Sequence, residues 1–360
     1  MTESTGTDGR DGRGPGGPRG RTRRRVWRGV GIGCAAVLVA TAAAGWWAYR
    51  SLDGNLTGVD IGRALGDDRP RKAPGALDAT NLLVLGSDSR AGENARLDGG
   101  AVGGARSDTA LVVHVSGDRT KAVAVSIPRD TLVDRPSCTT PDGGGTGPAE
   151  RVMFNSVYAT GGAPCVVKTV EKMSGVRIDH FLEIDFAGFK DLVDELGGVT
   201  VEVREPIRDT KGGFSLEPGT HRLDGADSLR FVRTRYGYRD GSDLGRIGLQ
   251  QQFLTALLRE VQRQDLLGSP AKSFRIARSL TESLTTDSEL ASLTALVEFG
   301  RGMRGIDPAA MDTVMLPVVY DRTDPNRVVP AGPQADAVWK AIREDTPVPA
   351  AARRSPASAG

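Results

Sequence analysis

Pairs of one acidic and one basic residue lie beside three short apolar segments of this 360-residue chain. The segments cover residues 81–85, 109–115 and 122–126. The neighbouring pairs are Asp88 and Arg90, Arg106 and Asp108, and Arg129 and Asp130. A single ion pair on a protein surface contributes little to stability, whereas polar groups beside the strand ends of an open α/β sheet commonly form a ligand site. We therefore interpret the three pairs as parts of one site.

A fourth group of charges lies at residues 230–246 and includes Arg233, Arg235, Arg239 and Arg246. The planar, permanently charged guanidinium group suits bidentate binding of phosphate. Carboxylates among these arginines would neutralise them unless they hold a cation such as Mg²⁺, which takes one or two carboxylates and leaves its other positions to water and phosphate oxygens. The four groups together predict a site for Mg²⁺ and a diphosphate. The alternative for residues 230–246 is a solvated loop with incidental salt bridges.

Other kinds of chemistry have little support in this sequence. It contains no CxxC or HExxH motif, which argues against zinc, and the scattered His114, His180 and His221 are interpreted as structural. Phosphoryl transfer needs positioning and charge stabilisation more than a protein nucleophile. A hydroxyl group that attacked the phosphate would still react faster with a base beside it to take its proton. Asp88 and Asp130 are candidates for that role.

Apolar patterning predicts the elements that position these residues. Strands are predicted at Asn81–Leu85, Thr109–Val115, Ala122–Ser126, His180–Ile184, Thr200–Val203 and Thr313–Leu316. Helices are predicted at Pro164–Ser174, Phe186–Leu196, Asp243–Gln264, Pro270–Leu284, Glu289–Arg304 and Pro333–Glu344. Strands mixed with helices of this length predict an α/β domain with a central mixed sheet flanked by helices on both faces.

The uncharged segment at residues 29–49 is long enough for one transmembrane helix. Eight Arg against three acidic residues give residues 1–28 a charge of +5, while the whole chain carries +2 and the remainder therefore −3. Excess Arg beside a span predicts a cytoplasmic N-terminus and an extracellular body, with Trp46 and Trp47 at the outer interface of the cell membrane. The alternative is a signal peptide cleaved near residues 42–44, which would also export the body.

Composition predicts the remaining domain organisation. Residues 1–28 are expected to be a disordered basic tail, 50–76 a juxtamembrane linker, 77–345 one globular domain and 346–360 a disordered tail. The alternative for residues 50–76 is that part of the segment packs onto the domain. Cys138 and Cys165 both fall in the exported part, where disulfides persist, so we predict a bridge between them. Two free thiols are the alternative.

Several motifs of this chain, in this order, resemble the LytR-CpsA-Psr family of bacterial cell-wall enzymes. The first three are Asn-Leu-Leu-Val-Leu-Gly-Ser-Asp-Ser-Arg at residues 81–90, Arg-Ser-Asp-Thr at 106–109 and Ser-Ile-Pro-Arg-Asp at 126–130. The others are Phe154-Asn155, Asp185-Phe186, Leu-Gly-Gly-Val at 196–199, Leu-Asp-Gly at 223–225, Arg-Thr-Arg at 233–235, Gly245-Arg246 and Gln250-Gln251. The resemblance covers about residues 77–265 and is less specific beyond them.

The resemblance implies a phosphotransferase that moves a glycopolymer, such as teichoic acid, from a polyprenyl diphosphate lipid to a hydroxyl of peptidoglycan. It implies that Asp88 and Asp108 hold Mg²⁺, or Mn²⁺ in its place, and that Asp130 is an accessory acid. The diphosphate-binding residues implied by motif position are Arg90, Arg106, Arg129, Arg233, Arg235 and Arg246. The candidate lining of an apolar pocket for the prenyl chain is Phe181, Ile184, Phe186, Phe189, Val193, Phe253 and Leu257, each of which has ordinary core packing as its alternative.

The chain departs from the family at one position, because Leu249 stands where many members carry a further Arg before the Gln pair. Another arginine, such as Arg239, is a candidate to replace that cation. Two other functions stay open: a lipid diphosphate hydrolase, in which water replaces the sugar hydroxyl, and a non-enzymatic protein that binds or regulates wall polymer. A DNA-binding regulator is disfavoured because the predicted topology exports the body.

Overall fold

A computed structural model describes residues 41–87, 107–140, 143–210, 212–234, 243–264, 269–307 and 311–353. At residues 107, 108 and 243–247 it describes the backbone only. The chain divides into two units, Met1–Arg50 and Ser51–Gly360. The predicted tail at 1–28 and the first part of the predicted span, residues 29–40, lie outside the described residues.

The described part of the first unit, residues 41–50, is helical. Trp46 and Trp47 are 64% and 65% exposed, and the ring of Trp46 stacks on that of Tyr49 with 6.3 Å between centroids. Among the described residues, no helix has both the length and the apolar character that a membrane crossing requires.

A seven-stranded sheet forms the centre of the second unit. With strands numbered in chain order, its spatial order is β1 (Thr57–Val59), β14 (Leu284–Asp287), β9 (His180–Asp185), β2 (Thr80–Ser87), β3 (Ser107–Val115), β4 (Ala122–Ser126) and β15 (Asp312–Met315). β2 pairs antiparallel with β3 and parallel with β9, and β15 pairs parallel with β4. The sheet is therefore mixed, as the sequence predicted.

Five two-stranded sheets and eight helices complete the described part of this unit. The small sheets pair β5 (Leu132–Arg135) with β8 (Ala149–Met153), β6 (Cys138–Thr139) with β7 (Gly145–Thr146), β10 (Val199–Val203) with β13 (Gly219–Leu223), β11 (Ile207–Asp209) with β12 (Phe214–Leu216), and β16 (Val318–Tyr320) with β17 (Val328–Pro330). The helices are α1 (Ile61–Leu65), α2 (Phe154–Ser174), α3 (Phe186–Leu196), α4 (Gly225–Arg233), α5 (Asp243–Arg263), α6 (Pro270–Ser283), α7 (Leu293–Gly302) and α8 (Gly332–Arg343).

Two separate apolar clusters hold these layers together. The first core joins buried side chains of the central sheet, such as Leu83 and Val112, to α2 and α8. The second core joins α3, α4 and α5 to the small sheets β10–β13 and includes Val193, Phe231 and Phe253. The central mixed sheet is thus flanked by helices, which confirms the predicted α/β fold class.

Part of residues 51–76, the predicted juxtamembrane linker, packs onto the domain. Ile61 and Leu65 of α1 are buried in the first core. The guanidinium group of Arg69 pairs with the carboxylate of Glu171 at 2.7 Å, and both side chains are largely buried. A few well-placed side chains are enough to order the segment, although the Gly, Asp, Arg and Pro around them resemble a linker.

The predicted C-terminal tail also needs correction over residues 346–353. Val348 and Ala352 are 2% exposed and belong to the first core, and Ala350–Arg353 form a 3₁₀ turn. Arg353 donates to both carboxylate oxygens of Asp312 at 2.6 and 2.7 Å. The Ala- and Pro-rich composition gave no sign of these distant partners. Residues 354–360 lie outside the described residues.

A disulfide joins Cys138 to Cys165, with 5.5 Å between their Cα atoms. It lies against a break in α2, where Gly161 and Gly162 leave helical geometry. A Cβ atom on Gly161 would lie 2.8 Å from both Cys165 Cβ and the carbonyl oxygen of Thr139. This break explains why the apolar periodicity predicted only the second half of the helix, from Pro164.

Replacing Gly161 by Ala is expected to destabilise the protein by about 1–3 kcal/mol, because the added methyl overlaps the disulfide and its backbone neighbours. Gly300→Ala is the matched control, since no atom lies within 4 Å of its Cβ position in α7. The control is expected to be neutral or to stabilise by up to about 1 kcal/mol. Urea denaturation followed by circular dichroism measures both, and equal midpoints for the two variants would contradict the packing described.

Candidate functional site

The strand ends that the sequence singled out meet at one edge of the central sheet. Ser87, the last residue of β2, pairs with Ser107 at the start of β3 and with Asp185 at the end of β9. β4 runs antiparallel to β3, so its last residue, Ser126, lies at the same end and pairs with Leu111. We call this end, formed by the C-terminal ends of β2, β4 and β9 and the start of β3, the site edge.

A β-bulge interrupts β3 at the site edge. Gly86 pairs with Thr109 while Ser87 pairs with Ser107, so Asp108 is the extra residue between two paired positions. Bulges locally increase the twist of a strand and are frequent beside active sites. One of the two predicted metal ligands therefore stands at the one irregular position of the β2–β3 ladder.

The structure describes some of the predicted site residues with their side chains, some by their backbone only and others not at all. Asp88, Arg90, Arg106 and Arg235 lie outside the described residues, as does Arg239. The backbone of Asp108 lies in β3 and that of Arg246 in the first turns of α5, with their side chains not described. Their predicted roles stay predictions, whereas Arg129, Asp130 and Arg233 are described with side chains.

Arg129 and Asp130 follow β4 on a loop fixed by backbone hydrogen bonds. The N–H of Asn155 donates to the carbonyl of Arg129 at 3.0 Å, which ties the loop to the first turn of α2. The carboxylate of Asp130 lies 3.5 Å from the guanidinium groups of both Arg129 and Arg327. Arg327 directly precedes β17 and was not predicted from the sequence, because the apolar segment that follows it is only three residues long.

Two glutamines of α5 join this helix to the strands at the site edge. The side-chain amide of Gln250 donates to the hydroxyl of Thr109 and to the carbonyl of Val232, both at 3.0 Å. That of Gln251 donates to the hydroxyl of Ser126 at 3.2 Å. Arg246 stands one helical turn before Gln250, so these bonds place its backbone beside the site edge.

Arg233 ends α4 next to the start of α3. Its guanidinium carbon lies 4.8 Å from the centroid of the Phe186 ring, a cation–π contact. Phe186 follows Asp185, whose carboxylate caps α3 by accepting from the N–H of Gly188 at 2.8 Å. The end of β9, the start of α3 and the end of α4 thus bring this arginine to the site edge.

The candidate pocket residues do not all lie together. Val193 and Phe253 belong to the second core, and Phe189 packs against it with its ring 5.4 Å from that of Phe253. Phe181 belongs to the first core and shares no cluster with them. Successive side chains of a strand point to opposite faces of the sheet. Residues on both faces of β9 are apolar, so the sequence did not show on which face the Phe181 side chain lies.

Leu249, the departure from the family pattern, is 2% exposed and packs in the second core. The residue that replaces a family arginine is therefore an apolar core residue in this chain. A further cation for the predicted diphosphate site would have to come from another position.

Within the described residues, His180, Asp287 and Glu289 form the group of metal-ligand type, with donor atoms within 4.8 Å of one another. Asp287 Oδ1 already accepts from the N–H groups of Glu289 and Leu290, and Oδ2 from that of Phe181. The His180 ring lies 3.2 Å from the same carboxylate. We interpret this group as structural, because both carboxylate oxygens of Asp287 already accept hydrogen bonds from backbone N–H groups without a cation.

A partly buried carboxyl group near the site edge was not predicted. Glu183 lies in β9, paired with Leu85 of β2, and accepts a hydrogen bond from the hydroxyl of Tyr158 on α2. Burial raises the pKa of Glu183, the Tyr158 hydrogen bond opposes that rise, and the charge of Asp185 adds to it. A lone Glu inside the apolar sequence at residues 180–184 was the signal that could have identified it.

The raised pKa of Glu183 predicts a pH-dependent effect of Glu183→Gln. The wild type loses stability as pH rises through the folded pKa, because a buried carboxyl then has to ionise. The Gln variant is expected to be more stable than the wild type at pH 8 and to lose that advantage at pH 5, in urea denaturation at both values. Glu202→Gln, at an exposed position of β10, is the control. A Gln variant that is less stable by the same amount at both pH values would contradict this interpretation.

Comparisons with known proteins agree with this architecture. The chain matches the LytR_cpsA_psr family model over residues 48–344. It is 34% identical over 233 residues to the probable cell wall biosynthesis protein LcpB of Corynebacterium glutamicum, covering 63% of this chain and about half, 52%, of LcpB. It is 30% identical over 283 residues to the polyisoprenyl-teichoic acid–peptidoglycan teichoic acid transferase TagT of Bacillus subtilis, covering 76% of this chain and 81% of TagT.

The fold is shared with a solved structure. A LytR-Csp2A-Psr enzyme from Actinomyces oris superposes with a TM-score of 0.60 at 24% identity, covering 79% of this chain and 95% of that one. The family match spans well over half of the chain and includes the site edge, the second core and all of the first core except Val348 and Ala352. This chain belongs to the LytR-CpsA-Psr family.

Proposed function

We propose that this chain is a wall-glycopolymer transferase. It moves a glycopolymer from a polyprenyl diphosphate lipid to a hydroxyl of peptidoglycan, forming a phosphodiester bond at the outer face of the cell membrane. Family membership and the similarity to TagT, whose name states a transfer of teichoic acid to peptidoglycan, support this proposal.

The observation that carries the proposal is the register at the site edge. Ser87 pairs with Ser107 and the bulge falls at Asp108, while Asp88 follows Ser87 directly in the sequence. Arg129 follows β4 at the same edge, and Arg233 and Arg246 belong to helices tied to it by the contacts of Phe186 and Gln250. A carboxylate pair surrounded by several arginines suits a diphosphate held together with a divalent cation.

Mg²⁺, or Mn²⁺ in its place, is the cofactor that this donor set fits. Two carboxylates are the usual protein contribution to such a site, and the bound cation supplies charge stabilisation to the diphosphate. Arg90, Arg106 and Arg235 are proposed to share in binding the diphosphate, because their motifs adjoin Asp88, Asp108 and Arg233 in the sequence.

The reaction requires no protein nucleophile. The hydroxyl oxygen of the acceptor sugar attacks the phosphorus that carries the glycan, and the bond from that phosphorus to the bridging oxygen breaks. Polyprenyl phosphate leaves with the electron pair of that bond, and the hydroxyl proton passes to a carboxylate, for which Asp130 is the proposed base. The guanidinium groups stabilise the charge that develops on the phosphoryl oxygens.

The second core is the proposed place of the prenyl chain. Its aromatic and aliphatic side chains lie between α3, α4 and α5, directly behind Arg233 and the Gln pair. Phe189 and Leu257 are only partly buried there, so the cluster offers apolar surface at its margin. Phe181, in the first core, is not part of this proposal.

The test is a transfer assay with the full-length chain in lipid nanodiscs. A lipid-linked glycan diphosphate, Mg²⁺ and peptidoglycan fragments are expected to give a covalent phosphodiester product, detected by mass spectrometry. Asp108→Asn and Arg246→Ala are expected to lower the rate about 100-fold or more, because each removes charge stabilisation of the transition state. Arg259→Ala, at an exposed position of the same helix, is the matched control and is expected to retain the rate.

Omitting the acceptor separates the proposal from its main alternative. A transferase forms no phosphodiester product without peptidoglycan, whereas a lipid diphosphate hydrolase releases polyprenyl phosphate at the same rate with and without it. Binding of the donor without turnover under both conditions would support a non-enzymatic role. Product formation that Arg246→Ala leaves unchanged would refute the assigned site.

Asp130→Asn is expected to lower the transfer rate about 100-fold while donor binding is retained, because the amide cannot accept the hydroxyl proton. Arg327→Ala is its control, since it removes one ion-pair partner of Asp130 and leaves the carboxylate. Single-turnover rates and donor affinity are measured for both. Full activity of Asp130→Asn would exclude this residue as the base and leave Asp88 as the candidate.

A further inference from the structure

Tyr320 carries an exposed aromatic ring beside the site edge. Its side chain is 50% exposed, and no other aromatic side chain among the described residues of the second unit is exposed. β15 runs parallel to β4, so both strands end at the site edge, and β16 follows β15 after two residues. The β16–β17 hairpin, residues 318–330, therefore extends from this edge and holds Tyr320 at the end of its first strand.

The hairpin contacts the loop that carries Asp130. Val328, which lies opposite Tyr320, donates its N–H to the carbonyl of Asp130 at 3.4 Å and forms a parallel bridge with Thr131. The guanidinium group of Arg327 lies 3.5 Å from the carboxylate of Asp130. Paired strands are about 4.8 Å apart, so the two pairings of Val328 place the backbone of Tyr320 about 10 Å from that of Thr131. A bound oligosaccharide can span this distance between the exposed ring and the proposed base.

Residues 321–327 connect the two strands of the hairpin and are fixed at both ends. The carboxylate of Asp321 accepts from the guanidinium group of Arg151 at 2.8 Å and from two backbone N–H groups of the loop at 2.9 and 3.1 Å. The N–H of Asp321 donates to the carbonyl of Arg327 at 2.9 Å, which closes the loop. A fixed loop presents its exposed side chains in one arrangement, which lowers the entropy cost of binding a ligand.

The exposed groups of the hairpin match the chemistry of a sugar chain. The ring of Tyr320 combines an apolar face with a hydroxyl group, which suits contact with the apolar face of a pyranose ring. Arg322, Thr323 and Asn326 are exposed on the loop and offer hydrogen bonds to hydroxyl, amide and carboxylate groups. Peptidoglycan carries all three groups on and beside its sugar rings. A polar surface with one aromatic ring therefore suits the acceptor and not the prenyl chain of the donor.

The geometry of phosphoryl transfer favours the glycan of the acceptor over that of the donor. The attacking and leaving oxygens lie roughly in line through the phosphorus, so the acceptor approaches from the side opposite the leaving lipid. The prenyl chain is proposed to lie in the second core, whereas Val318 and Val328 of the hairpin pack in the first. Asp130, the proposed base, adjoins the hairpin. In this arrangement the hairpin lies on the side from which the acceptor approaches.

We propose that the β16–β17 hairpin binds the glycan of the acceptor. The ring of Tyr320 stacks on one sugar ring, Arg322 and Asn326 bind its substituents, and a hydroxyl of the same glycan reaches Asp130. This inference rests on the proposed function and adds to it the surface that recognises the acceptor. Binding there contributes to the rate through positioning, because the attacking hydroxyl is then held within the complex.

The test measures the transfer kinetics of Tyr320→Ala with the full-length chain in lipid nanodiscs. The KM for peptidoglycan fragments is expected to rise about tenfold, because the aromatic contact with the acceptor is lost. The kcat and the KM for the lipid-linked donor are expected to stay within about twofold of the wild type, as for a contact made equally in the ground and transition states. Tyr320→Phe keeps the ring and is expected to keep most of the affinity. Leu77→Ala is the matched control, since Leu77 is 63% exposed and precedes β2 at the opposite end of the sheet.

Binding measured without the donor separates this proposal from the proposed function. Isothermal titration calorimetry of the same full-length chain uses a disaccharide-peptide fragment of peptidoglycan as the probe. The fragment is expected to bind about tenfold more weakly to Tyr320→Ala and about threefold more weakly to Asn326→Ala than to the wild type. Leu77→Ala is expected to bind it with the affinity of the wild type.

The outcomes differ for the surface and for the reaction. Equal affinity of the wild type, Tyr320→Ala and Asn326→Ala for the fragment would overturn the acceptor surface even where transfer proceeds, as would undetectable binding to the wild type. A raised KM for the donor with an unchanged KM for the acceptor would assign the hairpin to the donor glycan and overturn the proposal as well. A wild type that forms no transfer product would refute the proposed function, whereas weaker fragment binding to Tyr320→Ala would still support the hairpin surface.

Discussion

The register of β2 between its two neighbours is the constraint on which the rest of the structure depends. Leu83 and Leu85 are fully buried in the first core, and a slip of one residue would turn both to the other face of the sheet. That register sets Ser87 opposite Ser107 and puts the irregularity of β3 at Asp108. The two cores then bring α4, α5 and the loop after β4 to that edge from separately packed layers. Apolar packing inside the sheet therefore determines where the polar chemistry lies at its edge.

The two ends of the sheet differ in chemistry as well as in position. At the site edge lie Asp108, Arg129 and the partly buried carboxyl group of Glu183, whose pKa is raised by burial. At the other end the carboxylate of Asp287 is satisfied by backbone N–H groups. A strand length separates these two environments.

Elements that carry their own periodicity follow from the amino-acid sequence alone. The central strands at 81–85, 109–115 and 122–126 and the helices at 186–196 and 243–264 agree with the predictions within a few residues, because apolar spacing is a local property. The Asp and Arg motifs beside those strands indicate the family and predict the site for the same reason. Each motif adjoins a strand in the chain, so the pattern of apolar and charged residues predicts that they share one edge of a sheet.

Features that depend on contacts between residues far apart in the chain could be found only from the three-dimensional structure. β14 has the short, polar sequence Leu-Thr-Thr-Asp and becomes a strand because β9 and β1 pair with it. Residues 51–76 and 346–353 resemble linkers in composition, yet Ile61 and Val348 pack in a core built by residues far away in the chain. The same holds for the Asp130–Arg327 pair, separated by 197 residues. Local spacing encodes an element, but burial and pairing are set by whichever segments the fold brings alongside it.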